Sequence, residues 1–142
     1  MGTLEDVISS PSVRTTSPDA TVLSAVEAMC RWHVRALVVG DPAEPLGIFC
    51  ERDVLERVVL AGRAPATTLV GSVMTAPLFF LPLDCTPEDA LTYLSHHRVH
   101  QVPIAREEAL VAVVSSSDLE RWALRNLEAQ VQALTSYVMS GR

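Results

Sequence analysis

Short apolar runs closed by turn residues alternate along this chain with stretches whose apolar positions recur every three or four residues, so strands and helices follow one another. Leu110 to Val114 is a Val-rich apolar run and predicts a buried strand. Three serines and Asp118 come next, and then an amphipathic stretch. Ser115-x-x-Asp118 has the spacing of a capping box, with Asp in place of the usual Glu or Gln, and so marks a helix start. A helix start presents free N–H groups to anions, phosphates included. A carboxylate one turn in offers two acceptor oxygens, which suits the adjacent hydroxyls of a ribose. By spacing alone, plain helix capping explains the pair at least as well.

The same reading covers the rest of the chain. Thr3 caps a short helix, Leu4 to Ser9, ending before Pro11, and Ser12–Thr15 is a short strand. After the Ser17-Pro18-Asp19 turn, Thr21 caps a helix with its apolar stripe on Val22, Ala25, Val26 and Met29. Val34–Val39 is the next strand, Gly40 to Pro45 a connection, and Leu46–Phe49 a third strand. A helix from Glu51 to Leu60 stops at Gly62. In Thr86-Pro87-Glu88-Asp89 a cap, a Pro at the first helical position and acids in the first turn open another helix. Val99–Ile104 predicts a strand in which Pro103 forces an edge or an irregularity, leaving backbone groups free to face a ligand. The final helix, Leu119–Met139, carries Leu124, Leu127, Val131, Leu134 and Val138 as a seam of about two heptads. Such a seam either folds onto its own domain or is shared with a second subunit.

The chain repeats itself. LGIFCERDV at Leu46–Val54 has the same apolar run, polar turn and acid, and Asp53 lies 65 residues before Asp118. At that offset Asp19 matches Asp84, Thr21 matches Thr86, Ala25 matches Ala90 and Val34 matches Val99. Upstream the offset is 66, matching Val7 with Val73 and Pro11 with Pro77. A unit of roughly 60 residues has been duplicated.

The two units, with their VMTAP start, acid-x-Thr before an Ala-containing helix, VHQVPI strand and terminal Asp, resemble the CBS domain, named for cystathionine β-synthase. The resemblance implies an α+β fold, a tandem CBS-domain pair of two β-α-β-β-α units packed sheet to sheet about a pseudo-twofold axis. The units are residues 4–62 and 69–125, with 63–68 as linker and 126–142 as a C-terminal helical extension and candidate dimer contact. It further implies two clefts between the units that bind adenosine compounds: AMP, ADP, ATP or S-adenosylmethionine. Such modules form homodimers and regulate an enzyme, channel or transporter. No partner domain is recognisable in the sequence, so the regulated partner is expected to be another chain or the same chain in a dimer.

Carried onto this sequence, the resemblance assigns Ser115 to a phosphate and Asp118 to the ribose. Asp53 keeps the first unit's acid, but Cys50 stands where the family has Thr or Ser, and a thiol is a weak donor. The two sites are therefore expected to be unequal. Thr75, Pro77 and Leu78 fall where the family lines an adenine pocket, with Val102 and Pro103 on the opposite wall. Arg98, His100, its counterpart Arg35, and Arg52 are candidates for phosphate contacts. Gly47 fits the family, whereas Ala112 replaces the Gly of the second unit. The alternative is a ligand-free dimerisation or scaffold protein with degenerate sites.

Composition narrows the classes. At 142 residues and 49% hydrophobic the chain can bury a core, and a net charge of −6 argues against a nucleic-acid surface. Cys30, Cys50 and Cys85 form no CxxC pair and read as buried, reduced thiols of a cytoplasmic protein. Neither a leader nor a run of the ~18 apolar residues of a membrane span is seen. His96, His97 and His100 straddle a helix end and a strand start without completing a metal set. No nucleophile elbow or glycine-rich loop marks an enzyme.

Overall fold

A computed structural model of the chain describes residues 2–8 and 13–141. Two three-stranded sheets repeat one another, β1-β2-β3 and β4-β5-β6, each with a parallel first pair and an antiparallel second pair. The strands are β1 (Thr15–Thr16), β2 (Ala36–Asp41), β3 (Glu44–Cys50), β4 (Leu81–Pro82), β5 (Gln101–Arg106) and β6 (Ala109–Ser115).

The predicted caps form. Thr21 Oγ1 accepts from the Ser24 N–H at the start of α2 (Val22–Trp32), and Thr86 Oγ1 from the Asp89 N–H at the start of α4 (Pro87–His97), both at 3.1 Å. Both helices end on a left-handed residue, His33 (φ 54°) and Arg98 (φ 53°). The next N–H then turns back into the helix, Val34 to the Met29 carbonyl and Val99 to that of Leu94, each at 3.0 Å. That turn holds Val34–Arg35 and Val99–His100 outside the strands, so β2 and β5 begin two residues later than the apolar runs suggest. The strand expected at Ser12–Thr15 is Thr15–Thr16, with Ser12 outside the described residues. The first helix, α1, covers Leu4–Val7, and the predicted end at Ser9 also lies outside them. The helix expected over Glu51–Leu60 is α3 (Glu51–Asp53) running into a π-helical turn, Val54–Val59, with Gly62 beyond it at φ +71°.

Pro103 acts through register. It pairs with Val113 as Val38 pairs with Ile48. The Val38 N–H donates to the Arg14 carbonyl beside β1 at 3.0 Å. Proline has no N–H to give, and β4 joins β5 only from Leu81, opposite Ile104. Thus β5 is central in its sheet but has a local edge at Pro103.

Each core borrows from the other repeat. Leu4 and Val7 of α1 are buried with Ala90, Leu94, Val102, Ile104, Val114 and Leu119 of the second unit, and the Leu4 N–H donates to the Cys85 carbonyl. Conversely Val70 and Val73 are buried in the first unit with Val22, Leu37, Val39 and Phe49. Between the sheets, Val38 packs on Ala105 and Leu110, with Val13, Leu78 and Val113 around them. The last helix, α5 (Ser116–Ser140), docks through Leu119 and then leaves the body, with Leu124, Leu127, Val131, Leu134 and Val138 all more than half exposed. Of the two alternatives for the seam, folding onto its own domain does not occur.

Candidate functional site

Two clefts open beside the ends of β3 and β6, where a strand delivers its chain to a helix start. At the second, Ser115 caps α5. The Asp118 N–H donates to Ser115 Oγ at 3.1 Å, and the Ser115 N–H donates to Asp118 Oδ2 at 2.9 Å. This uses one carboxylate oxygen, and the other takes the guanidinium of Arg121. The Asp118 side chain keeps 34% of its surface in solvent, so the acid stands at the rim of an open cavity of about 510 Å³. Ser115, Ser116 and Ser117 line it from the α5 start. Arg14, Trp32, His33 and Arg35 face them from the first unit, and His100 and Gln101 from the second. Arg14 lies over the Trp32 ring at 4.7 Å from its centroid, a cation–π contact that holds it in the wall. Three arginines and one carboxylate line this hollow, and even with Arg35 also 3.9 Å from Glu51 it is cationic within an acidic chain.

The first cleft is about 390 Å³ and differs in chemistry. Asp53 is 3% exposed. Its Oδ2 accepts from the Cys50 N–H at 2.9 Å and lies 3.4 Å from the Cys50 thiol. Its Oδ1 accepts from the Thr75 hydroxyl at 2.8 Å, with Arg57 Nε at 3.7 Å. Thr75 reaches it because the Ile48 and Thr75 backbones exchange hydrogen bonds of 2.9 and 2.8 Å. Gly47 permits that approach, since a Cβ there would sit 2.5 Å from the Thr75 carbonyl oxygen. Burial, then the Asp53 charge, pushes the Cys50 thiol above its ordinary pKa, so it is a neutral thiol here. Cys50, Thr75, Arg52, Glu51 and Glu56 line the cavity, and His100 and Gln101 line both clefts. Glu51 pairs with Arg35 at 3.9 Å, and Arg52 donates to the Arg98 carbonyl.

The structure therefore brings Ser115, Asp118, Arg35 and His100 together at one cleft, and Cys50, Arg52, Thr75 and His100 at the other, above a buried Asp53. Pro77, Leu78, Arg98, Val102 and Pro103 line neither cavity. Leu78 packs between the sheets, Val102 is in the second core, Pro103 is buried in β5, and Arg98 and Pro77 are exposed. Arg14, Trp32, His33, Arg121 and Arg57 were not singled out by the sequence. The repeat itself carried a signal for Arg121, because at the 65-residue offset its counterpart is Glu56. The thiols depart from expectation: all three are free, but Cys30 is exposed and Cys50 and Cys85 are half-buried. Cys30 sits in the last turn of α2, off the buried stripe of Val22, Ala25 and Met29. His97 stacks on Tyr93 with ring centroids 4.3 Å apart, and no cluster of three or more His, Cys, Asp or Glu suited to a metal occurs among the described residues. No described helix is long and apolar enough to cross a membrane.

Comparison with known proteins agrees with the two-repeat fold. The family model described as "CBS domain" matches twice, at residues 4–60 and 70–125. The mitochondrial CBS domain-containing protein CBSX3 of Arabidopsis thaliana is 31% identical over 130 residues, covering 87% of this chain and 62% of that protein. The chain thus spans less than two thirds of that relative. The crystal structure of the CBS domain protein NE2398 superposes with a TM-score of 0.82 at 25% identity, over 87% of this chain and 99% of the other. Hypoxic Response Protein I, whose crystal structure carries two coordinated zinc ions, superposes with a TM-score of 0.71 at 24% identity, over 85% of this chain and 98% of that one.

Proposed function

The chain belongs to the CBS-domain family, and from that premise we propose that it is a regulatory module whose Asp118 cleft binds a phosphorylated adenosine compound, AMP, ADP or ATP. The observation that carries this reading is the pairing of a half-open carboxylate, suited to ribose hydroxyls, with three arginines and a serine-rich helix start in one hollow. Helix N–H groups and guanidinium forks both favour phosphate. Binding acts as a signal only if the chain has two shapes of different affinity. A homodimer and a regulated partner protein complete the proposal, with the exposed α5 seam as the subunit contact.

The Asp53 cleft is the weaker site in this reading. Its acid is spent on Thr75 and Cys50, and Glu51 and Glu56 outnumber Arg52 along its lining, which disfavours phosphates. An adenosine compound without phosphate, such as S-adenosylmethionine, suits it better than a nucleotide. A ligand-free scaffold is the second reading, and the internal closure of Asp53 favours it.

Thermal-shift measurements with AMP, ADP, ATP and S-adenosylmethionine separate the two, because a ligand bound only by the native state raises Tm by mass action. Calorimetry on Asp118→Ala then tests the site. Losing charged hydrogen bonds worth about 1.5–3 kcal/mol each lowers nucleotide affinity at least about tenfold. Equal binding by both proteins makes Asp118 a helix cap only, and a flat response to all four compounds supports the scaffold.

A further inference from the structure

We propose that Arg121 makes the Asp118 cleft select phosphorylated adenosine compounds over the bare nucleoside, by occupying the ribose-binding carboxylate until a phosphate draws it away. The inference rests on the reading of that cleft as an adenosine site.

Asp118 Oδ2 is committed to the Ser115 N–H, which closes the capping box. Oδ1 is the oxygen left for a ligand hydroxyl, and the guanidinium of Arg121 occupies it. A nucleoside hydroxyl competes with that cation for the oxygen's lone pairs and returns nothing to it. The displaced charge would stand in a hollow that already holds Arg14 and Arg35. A nucleotide does the opposite, because its phosphate offers Arg121 a bidentate partner stronger than the one it gives up. Arg121 is able to make this exchange. Its side chain is 64% exposed, it lines the same cavity, and Asp118 is its one hydrogen-bond partner among the described residues.

The first unit provides an internal contrast. There Glu56 stands at the repeat position of Arg121, and the cation beside the acid is Arg57, one residue further along. Arg57 is anchored on the Met74 carbonyl at 2.7 Å. It stands 3.7 Å from Asp53 Oδ1 and lines neither cleft. One repeat therefore fixes its acid with a tethered arginine, and the other covers its acid with a free one.

The test is calorimetric titration of adenosine, AMP and ADP into the wild-type chain, Arg121→Gln and Arg121→Lys, with thermal melts showing that each variant is folded. In Arg121→Gln, adenosine affinity rises by about two- to fivefold, the worth of an exposed ion pair no longer in competition. ADP affinity falls by about tenfold, the loss of one charge-assisted contact. The preference for ADP over adenosine thus narrows by well over tenfold, and Arg121→Lys restores part of it. Equal changes for both ligands, or a fall in adenosine affinity, overturn the role of Arg121 while leaving the adenosine site standing. A wild-type chain that binds none of the three compounds overturns the adenosine reading and the inference with it.

Discussion

Asp53 and Asp118 occupy one position in two copies of a unit, yet their surroundings give them opposite work. Asp53 is buried, and its carboxylate satisfies the Thr75 hydroxyl, the Cys50 N–H and part of Arg57. Asp53→Ala leaves those half-buried donors without their acceptor. It is expected to cost about 3 kcal/mol of stability, measured by urea unfolding, since each stranded group costs about 1–3 kcal/mol and the half-exposed Arg57 adds little. Asp118→Ala removes a capping contact that solvent replaces, so the same measurement gives about 1 kcal/mol or less. The thiol beside Asp53 accounts for part of the difference between the sites. A neutral, half-buried Cys50 sits where the second unit offers the hydroxyl of Ser115. This contrast was legible in the sequence, because Cys50 and Ser115 are aligned by the repeat. The closing of Asp53 by Thr75 was not, because 22 residues and an entire linker separate them along the chain.

At the scale of the element, α5 is one 25-residue helix with two halves of different character. Its first turns are held by the Ser115 cap, by fully buried Leu119 and by half-buried Trp122 against the second core. Beyond Leu124 the apolar positions face solvent, and from Ala129 to Ser140 the sequence has no charged residue. Leu124, Val131 and Val138 share one heptad place along that seam and Leu127 and Leu134 the other, an a and d pattern suited to a shared helical contact. Leu134→Glu alters a side chain that touches no core. Monomer unfolding free energy is expected to stay within about 0.5 kcal/mol of wild type. Sedimentation velocity is expected to show weaker self-association, and an unchanged sedimentation profile would remove α5 as the subunit contact. The helix and its stripe were readable from three- and four-residue steps, whereas its exposure follows from how far the second core extends.

At the scale of the molecule, the two repeats exchange their leading segments. Leu4 and Val7 complete the second core, and Val70 and Val73 complete the first. The exchange explains how Thr75 of one repeat reaches Asp53 of the other, and it makes the two units one folding problem. A chain cut within residues 63–68 gives two halves, each with an unfilled core and uncovered apolar leader residues. Each half alone is expected to lack a cooperative thermal transition by circular dichroism, and mixing them is expected to restore one. An isolated first half that melts cooperatively would show that the exchange is not needed for folding.

By itself the sequence determined the duplication, the α+β class, the capped starts of α2, α4 and α5, and the two acids at matching places. All of these depend on residues near one another in the chain or on a fixed repeat offset. Strand starts escaped it by two residues, because left-handed ends at His33 and Arg98 hold Val34 and Val99 in the preceding helix turns. Only the tertiary structure decided which acid is open and which is closed, and which arginines stand around the open one. Arg14, Arg35 and Arg121 come from three separate segments, and nothing local brings their charges together. That meeting depends on one sheet packing against the other, a contact between residues distant in the chain.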